Sequence, residues 1–166
     1  MSLLIDACAA INLYNCGKLA LVCNLPGIGI ELSPIVVSEC GLGCAAEIIA
    51  LETAGLIRFV PDEEISTDRF LELVAEEDIG NGELESIAVC EATGRSFCTD
   101  DGAARRLANQ LLGPAKVMGS LRLLKMAVEA LLIPCNEAFA GYLAMRDSGG
   151  FLPQLETHFF CNAVPA

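Results

Sequence analysis

Apolar residues run along this chain in two alternating rhythms. Short dense runs, "SLLI", "IGIEL", "IRFV", "SFC" and "KVM", have the length and composition of buried strands. Between them apolar positions recur at helical spacing. "ACAAINLYNCG" is closed by Gly17; Ser33 and Pro34 stand as N-cap and first residue of a helix that carries Glu39 and is continued by "CAAEIIALETAGL" to Gly55. "STDRFLELVAEE" has Ser66 or Thr67 as cap, "ELESIAVCEATG" ends at Gly94, and "GAARRLANQLLG", "SLRLLKMAVEALL" and "NEAFAGYLAMRDSGG" complete the helices. Strands that alternate with helices imply right-handed crossovers, hence an α/β fold: a three-layer α/β/α sandwich on a central parallel sheet of about five strands. There are no repeats, low-complexity runs or linkers, and 166 residues suit one domain, 1–166.

This architecture gives the acidic residues a place. Open parallel sheets gather ligands outside the carboxyl ends of their strands, where strand order reverses. Asp6 follows the first strand, and Asp100 and Asp101 follow the fourth, which neighbours the first if the order reverses there. Glu39 lies on the helix after the second strand, and Glu83 and Glu85 open the helix before the fourth, so all six are expected at one rim. Each also has a structural explanation. Glu83 and Glu85 complement a helix dipole, Asp100 or Asp101 caps the next helix, Glu39 fits the polar side of its own helix, and Asp6 has a cap to make only if a helix starts at once.

Carboxylates packed within about 4 to 6 Å raise one another's pKa and need a counter-charge. With oxygen donors and no histidine among them, the fitting ion is Mg²⁺ or Mn²⁺, and the matching reaction is phosphodiester hydrolysis. Cysteine does not compete as ligand. The nine are scattered, none forms Cys-x-x-Cys, and Cys40 and Cys44 have no second pair, His158 being the only histidine. They are expected to be small buried hydrophobes in a reducing cytosol, with His158 packed or exposed. No apolar run approaches the length of a membrane span, and the N-terminus lacks a basic lead-in, so a cytoplasmic protein is expected. A content of 54% apolar residues exceeds what one core uses and points to a partner surface. The net charge of −12 excludes a bare electrostatic nucleic-acid binder and weighs against a nuclease.

Taken in order, "LLIDACAAI", "SPIVVSE", "GELESIAVC" and "FCTDDGAARRLA" resemble PIN domains, and the last two with "GSLRLLKMA" resemble the branch related to VapC-type toxins. The resemblance runs from about Leu3 to "GGFLP". It implies a ribonuclease of single-stranded or structured RNA in which Asp6, Glu39, Glu85 and Asp101 hold one or two Mg²⁺ or Mn²⁺ ions. Asp100 stands beside the fourth acid, Thr99 orients a carboxylate, and Glu83 is an outer acid. Arg105 and Arg106, with Arg122 and Lys125 beyond, are the basic residues that could meet RNA, although Arg105 and Arg106 also suit an ordinary solvated helix face. Toxin-like relatives imply a homodimer and an antitoxin protein that covers the acidic edge. The chain departs from the pattern at Cys8, where a serine or threonine is usual, and in its few basic residues. Those departures favour a second reading, a weakly active or inactive PIN-like binding or scaffold protein. A phosphate hydrolase with nucleophilic Asp6 would require a phosphate-gripping loop, which "GIGIEL" does not supply.

Overall fold

The computed structural model describes residues 1–161. Its elements follow in order: β1 (Ser2–Ile5), α1 (Ala7–Asn15), α2 (Leu19–Val22), β2 (Gly29–Leu32), α3 (Pro34–Glu39), α4 (Leu42–Thr53), β3 (Ile57–Phe59), α5 (Thr67–Glu76), α6 (Asn81–Thr93), β4 (Ser96–Cys98), α7 (Gly102–Leu112), β5 (Val117–Met118), α8 (Ser120–Glu129), α9 (Cys135–Asp147) and α10 (His158–Cys161). The five strands are all parallel in the order β3-β2-β1-β4-β5. The chain fills one half of the sheet outward from β1, then crosses back to start the other half at β4. The reversal therefore falls between β1 and β4, as the sequence suggested.

Alternation along the strands builds a core on each face. Leu3, Ile5, Ile30, Leu32 and Cys98 pack against α1, α2, α4, α8 and α9, while Leu4 and Phe97 pack against α5, α6 and α7. Both faces are covered, which is why the strands read as unbroken apolar runs. Glu31 interrupts the run in the middle of β2 and is buried; its carboxylate pairs with Arg58 at 2.6 Å and lies 3.1 Å from Arg95 Nε. Two guanidiniums offset the cost of taking that charge out of water.

The structure departs from the sequence expectation in four places. The helix after β2 is broken, because Cys40 is extended (ψ 134°) and Gly41 starts α4 afresh, so Glu39 ends a helix. Ser33 and Ser66 occupy N-cap positions, but neither side chain makes the capping hydrogen bond. The short α2 and α10 were not anticipated, since four residues carry too little periodicity to register. The cysteines are not all free: Cys135 and Cys161 form a disulfide joining α9 to α10, and Cys8 is exposed. Cys23, Cys40, Cys44, Cys90 and Cys98 are buried thiols as expected, and His158 is exposed. No described helix is long and apolar enough to cross a membrane.

The segment between α9 and α10 is strapped to the body by Tyr142, whose ring is fully buried. Its hydroxyl donates to Pro153 O (2.9 Å) and accepts from Leu155 N (2.8 Å) and Arg146 Nη1 (3.1 Å). Tyr142→Phe is expected to cost about 1–3 kcal/mol by stranding these partners. It should also raise hydrogen exchange at Leu155; unchanged protection there would show that other contacts hold the strap.

Candidate metal centre

The site begins with register. Ile5 faces Cys98 across the β1–β4 pair, and Asp6 N donates to Cys98 O at 3.0 Å, so Asp6 and Thr99 leave their strands at the same level. Helix α1 starts immediately, with Asp6 as its N-cap: Oδ1 accepts from Ala9 N at 2.7 Å. The other oxygen, Oδ2, is buried and has no hydrogen-bond partner. Burial pushes the Asp6 carboxyl up to about 8, Asp100 and Glu83 adding to the rise. Ala9 N–H and the Thr99 hydroxyl, close by although outside hydrogen-bonding geometry to Oδ2, offset only part of it.

Helix α6 delivers the second acid. Glu83 lies in its first turn, is buried, and has its pKa raised by that burial, with Glu39 and Asp101 reinforcing the shift against the Glu83 N–H. Ligand atoms of Asp6, Cys8 and Glu83 lie within 4.8 Å of one another. Glycines make the space. A Cβ at Gly80 would stand 2.3 Å from Glu83 Oε2, and one at Gly82 would stand 2.3 Å from Glu39 Oε2, so alanine at either would displace that carboxylate. Gly82 N also donates to Glu39 Oε1 at 3.1 Å, bringing the exposed end of α3 to the rim.

The remaining acids divide by what their oxygens already do. Asp101 caps α7, with Oδ1 accepting from Ala103 N and Ala104 N at 2.8 Å each, while its own N–H donates to Thr99 Oγ1 at 3.0 Å. Asp100 has both oxygens engaged: Oδ1 by Ser120 N (2.9 Å), Oδ2 by Asn12 Nδ2 (2.8 Å) and by the Ser120 hydroxyl. It thus ties α1 and α8 to the end of β4. Glu85 is buried, and its Oε2 accepts from Ile35 N at 3.4 Å in the first turn of α3. Two residues along a helix turn a side chain by about 200°, so Glu83 and Glu85 cannot point the same way.

Every described ion pair uses an acid from elsewhere, such as Glu31, Glu64, Glu91 or Glu137. Arg105 donates Nη2 to the carbonyls of Thr99 and Met118. Arg106 is exposed and borders a recess shared with Glu77 and Asp78. The rim acids therefore have no cationic side chain as partner among the described residues. Cys8 does not become a thiolate: burial of its sulfur and the charges of Asp6, Glu83, Asp101 and Asp100 push it up to about 12. Because the residue as a whole is exposed, the four carboxylates are the firmer reason.

The sequence pattern gathers the acids at this rim, but it does not single out Asn12 or Ser120, the two residues that orient Asp100. A buried asparagine on an apolar helix was the only available signal for the first, and nothing marked the second. A family model described as a PIN domain matches residues 2–157. Neither a curated protein nor a solved structure shows significant similarity to the chain.

Asp6 also generates a pH test. Its folded-state pKa stands above its unfolded value, so its contribution to stability is complete below about 3.8 and is lost as pH rises through about 8. With divalent ions chelated, Asp6→Asn should remove that loss, by up to about 1.4 kcal/mol per pH unit inside the window. Thermal melts of the variant and the parent should therefore diverge, in the variant's favour, from about pH 5 to about pH 8; parallel curves would refute the assignment.

Proposed function

Since the chain belongs to the PIN domain family, whose members are generally nucleases, we propose that it is a metal-dependent endoribonuclease, acting as the toxin of a toxin–antitoxin pair. The observation that carries this reading is the buried Asp6 Oδ2, an acceptor without a donor, beside Glu83 and without a cationic side chain to neutralise either. Carboxylate oxygen donors with no histidine suit a hard divalent cation, Mg²⁺ or Mn²⁺.

In this reading Asp6 and Glu83 hold the ion, with Glu39 and Asp101 completing the acidic set. Glu83 takes the role that the family resemblance implied for Glu85, because Glu83 is the acid grouped with Asp6. Glu85 instead secures the first turn of α3 and so positions Glu39. When bound, such an ion activates water and stabilises the charge that develops on the scissile phosphate. The protein's residues do the rest. The Ala9 N–H and Ala103/Ala104 N–H groups fix Asp6 and Asp101 before substrate arrives, and Asp100 clamps the two helices that flank them. Glu39, the exposed acid of the set, gives a proton released in hydrolysis a way to solvent.

A homodimer and an antitoxin agree with the exposed apolar residues Leu42 and Ile49, which lie seven residues apart on α4 and so share a face. An arginine inserted among the rim acids is the chemistry by which such a partner would silence them. A binding or scaffold role remains the second reading, favoured by the net charge of −12 and by Cys8 in a hydroxyl position. Calorimetric titration separates the two, because a scaffold shows no heat with millimolar Mn²⁺.

Purified protein is expected to cut single-stranded RNA with added Mn²⁺. Asp6→Asn and Glu83→Gln should each lower the rate by about 100-fold or more, roughly 3 kcal/mol of barrier. Glu85→Gln should cost less than Glu83→Gln. Undiminished cleavage by Asp6→Asn would overturn the proposal.

A further inference from the structure

We infer that Phe151 is a stacking platform for an unpaired nucleobase of the RNA strand, presented in a recess that opens onto the acidic rim. This rests on the nuclease reading of that rim. Phe151 is fully exposed, at 101% of its reference area, and is the sole exposed phenylalanine or tyrosine among the described residues. It is nevertheless firmly presented. Before it, Gly149 adopts φ +94° and Gly150 lies where a Cβ would come within 2.6 Å of Asn12 Oδ1 and 2.7 Å of Met145 O, so only glycine lets the strap run this close to α1. After it, Leu152 packs on the core and Pro153 O receives the Tyr142 hydroxyl. An apolar ring held in water between two anchored neighbours contributes nothing to the fold.

What surrounds the ring selects the occupant. A recess of about 300 Å³ that Phe151 borders is lined by Cys8, Asn12, Asp100, Asp101 and Gly150. Its carboxylates repel a phosphate but admit a neutral, planar base with amino and imino donors. A second recess of about 310 Å³, also bordered by Phe151, is lined by Asp100, Arg105 and Arg122; Arg122 pairs with Glu129 and Arg105 bonds the Thr99 and Met118 carbonyls, and each keeps further N–H groups that suit a backbone phosphate. One nucleotide laid across Phe151 thus places its base and its phosphate in matching environments beside the proposed metal ligands. A protein of net charge −12 cannot hold RNA by phosphate neutralisation alone, and stacking needs no positive charge.

The chain contains no tryptophan, so Phe151→Trp introduces a single fluorescent reporter at the proposed contact. The probes are an all-adenosine 2′-O-methyl hexanucleotide, which resists cleavage, and an abasic strand of the same length, each titrated in Mg²⁺. Saturable quenching by the adenosine strand and not by the abasic one is expected. Phe151→Ala should bind the adenosine strand about 5- to 150-fold more weakly, the range one base–aromatic stack supplies, and Phe151→Tyr should restore binding. Unquenched tryptophan, or an alanine variant of unchanged affinity, overturns the inference. An alanine variant that keeps its RNA affinity but changes mass in light scattering overturns it in favour of a protein interface. Quenching without any cleavage in Mn²⁺ upholds the stacking site and removes the nuclease reading; cleavage by the parent with unchanged affinity in Phe151→Ala does the reverse.

Discussion

A carboxylate enclosed by protein and left with an unused oxygen raises the free energy of the fold unless something positive comes to it. This chain sets such a group, Asp6, at the centre of its sheet, on the exit of the middle strand. The placement is not an accident of one side chain. The Asp6 N–H is bonded to the end of β4, its Oδ1 starts α1, and Glu83 is brought to it from α6 on the far side of the sheet's reversal point. Relaxing the group would mean undoing β1, β4 and α1 together. The strain is held by the core, and the core is what two cleanly apolar sheet faces build.

The treatment of charge elsewhere shows that the arrangement at the rim is selective. Glu31 is buried, as Asp6 and Glu83 are, yet two arginines reach it. At the rim the guanidinium of Arg105 is turned onto backbone carbonyls. The chain therefore has the means to neutralise a buried acid and uses them in the body of the sheet, while Asp6 and Glu83 are left without a cationic side chain among the described residues. Asp100 belongs to neither group. Satisfied by Asn12 and Ser120, it acts as a joint between α1, β4 and α8.

Much of this was legible in the sequence because parallel sheets write themselves plainly. Five apolar runs separated by helical periodicity give the strand count, and the rule that ligands gather at the reversal point collects six acids there, Asp6, Glu39, Glu83, Glu85, Asp100 and Asp101. What the sequence did not resolve depends on angles rather than order. Glu83 and Glu85 are equivalent in spacing terms, and only the phase of α6 decides which meets Asp6. The N-cap role of Asp6 turned on whether α1 begins at Ala7, a boundary that periodicity does not fix to one residue. The break at Cys40–Gly41 falls in "CGLG", where two glycines punctuate the helical pattern without fixing which residue ends the helix, and the Cys135–Cys161 pairing depends on α9 and α10 meeting in space.

The central claim is that Asp6 and Glu83 together hold a divalent cation. Crystals grown in saturating Mn²⁺ and measured at the manganese absorption edge test it without recourse to activity. The account predicts an anomalous peak within coordinating distance, about 2.1–2.3 Å, of Asp6 Oδ2 and of a Glu83 oxygen. A map with no peak there, or with manganese bound by Glu85 while Glu83 stands apart, would contradict it.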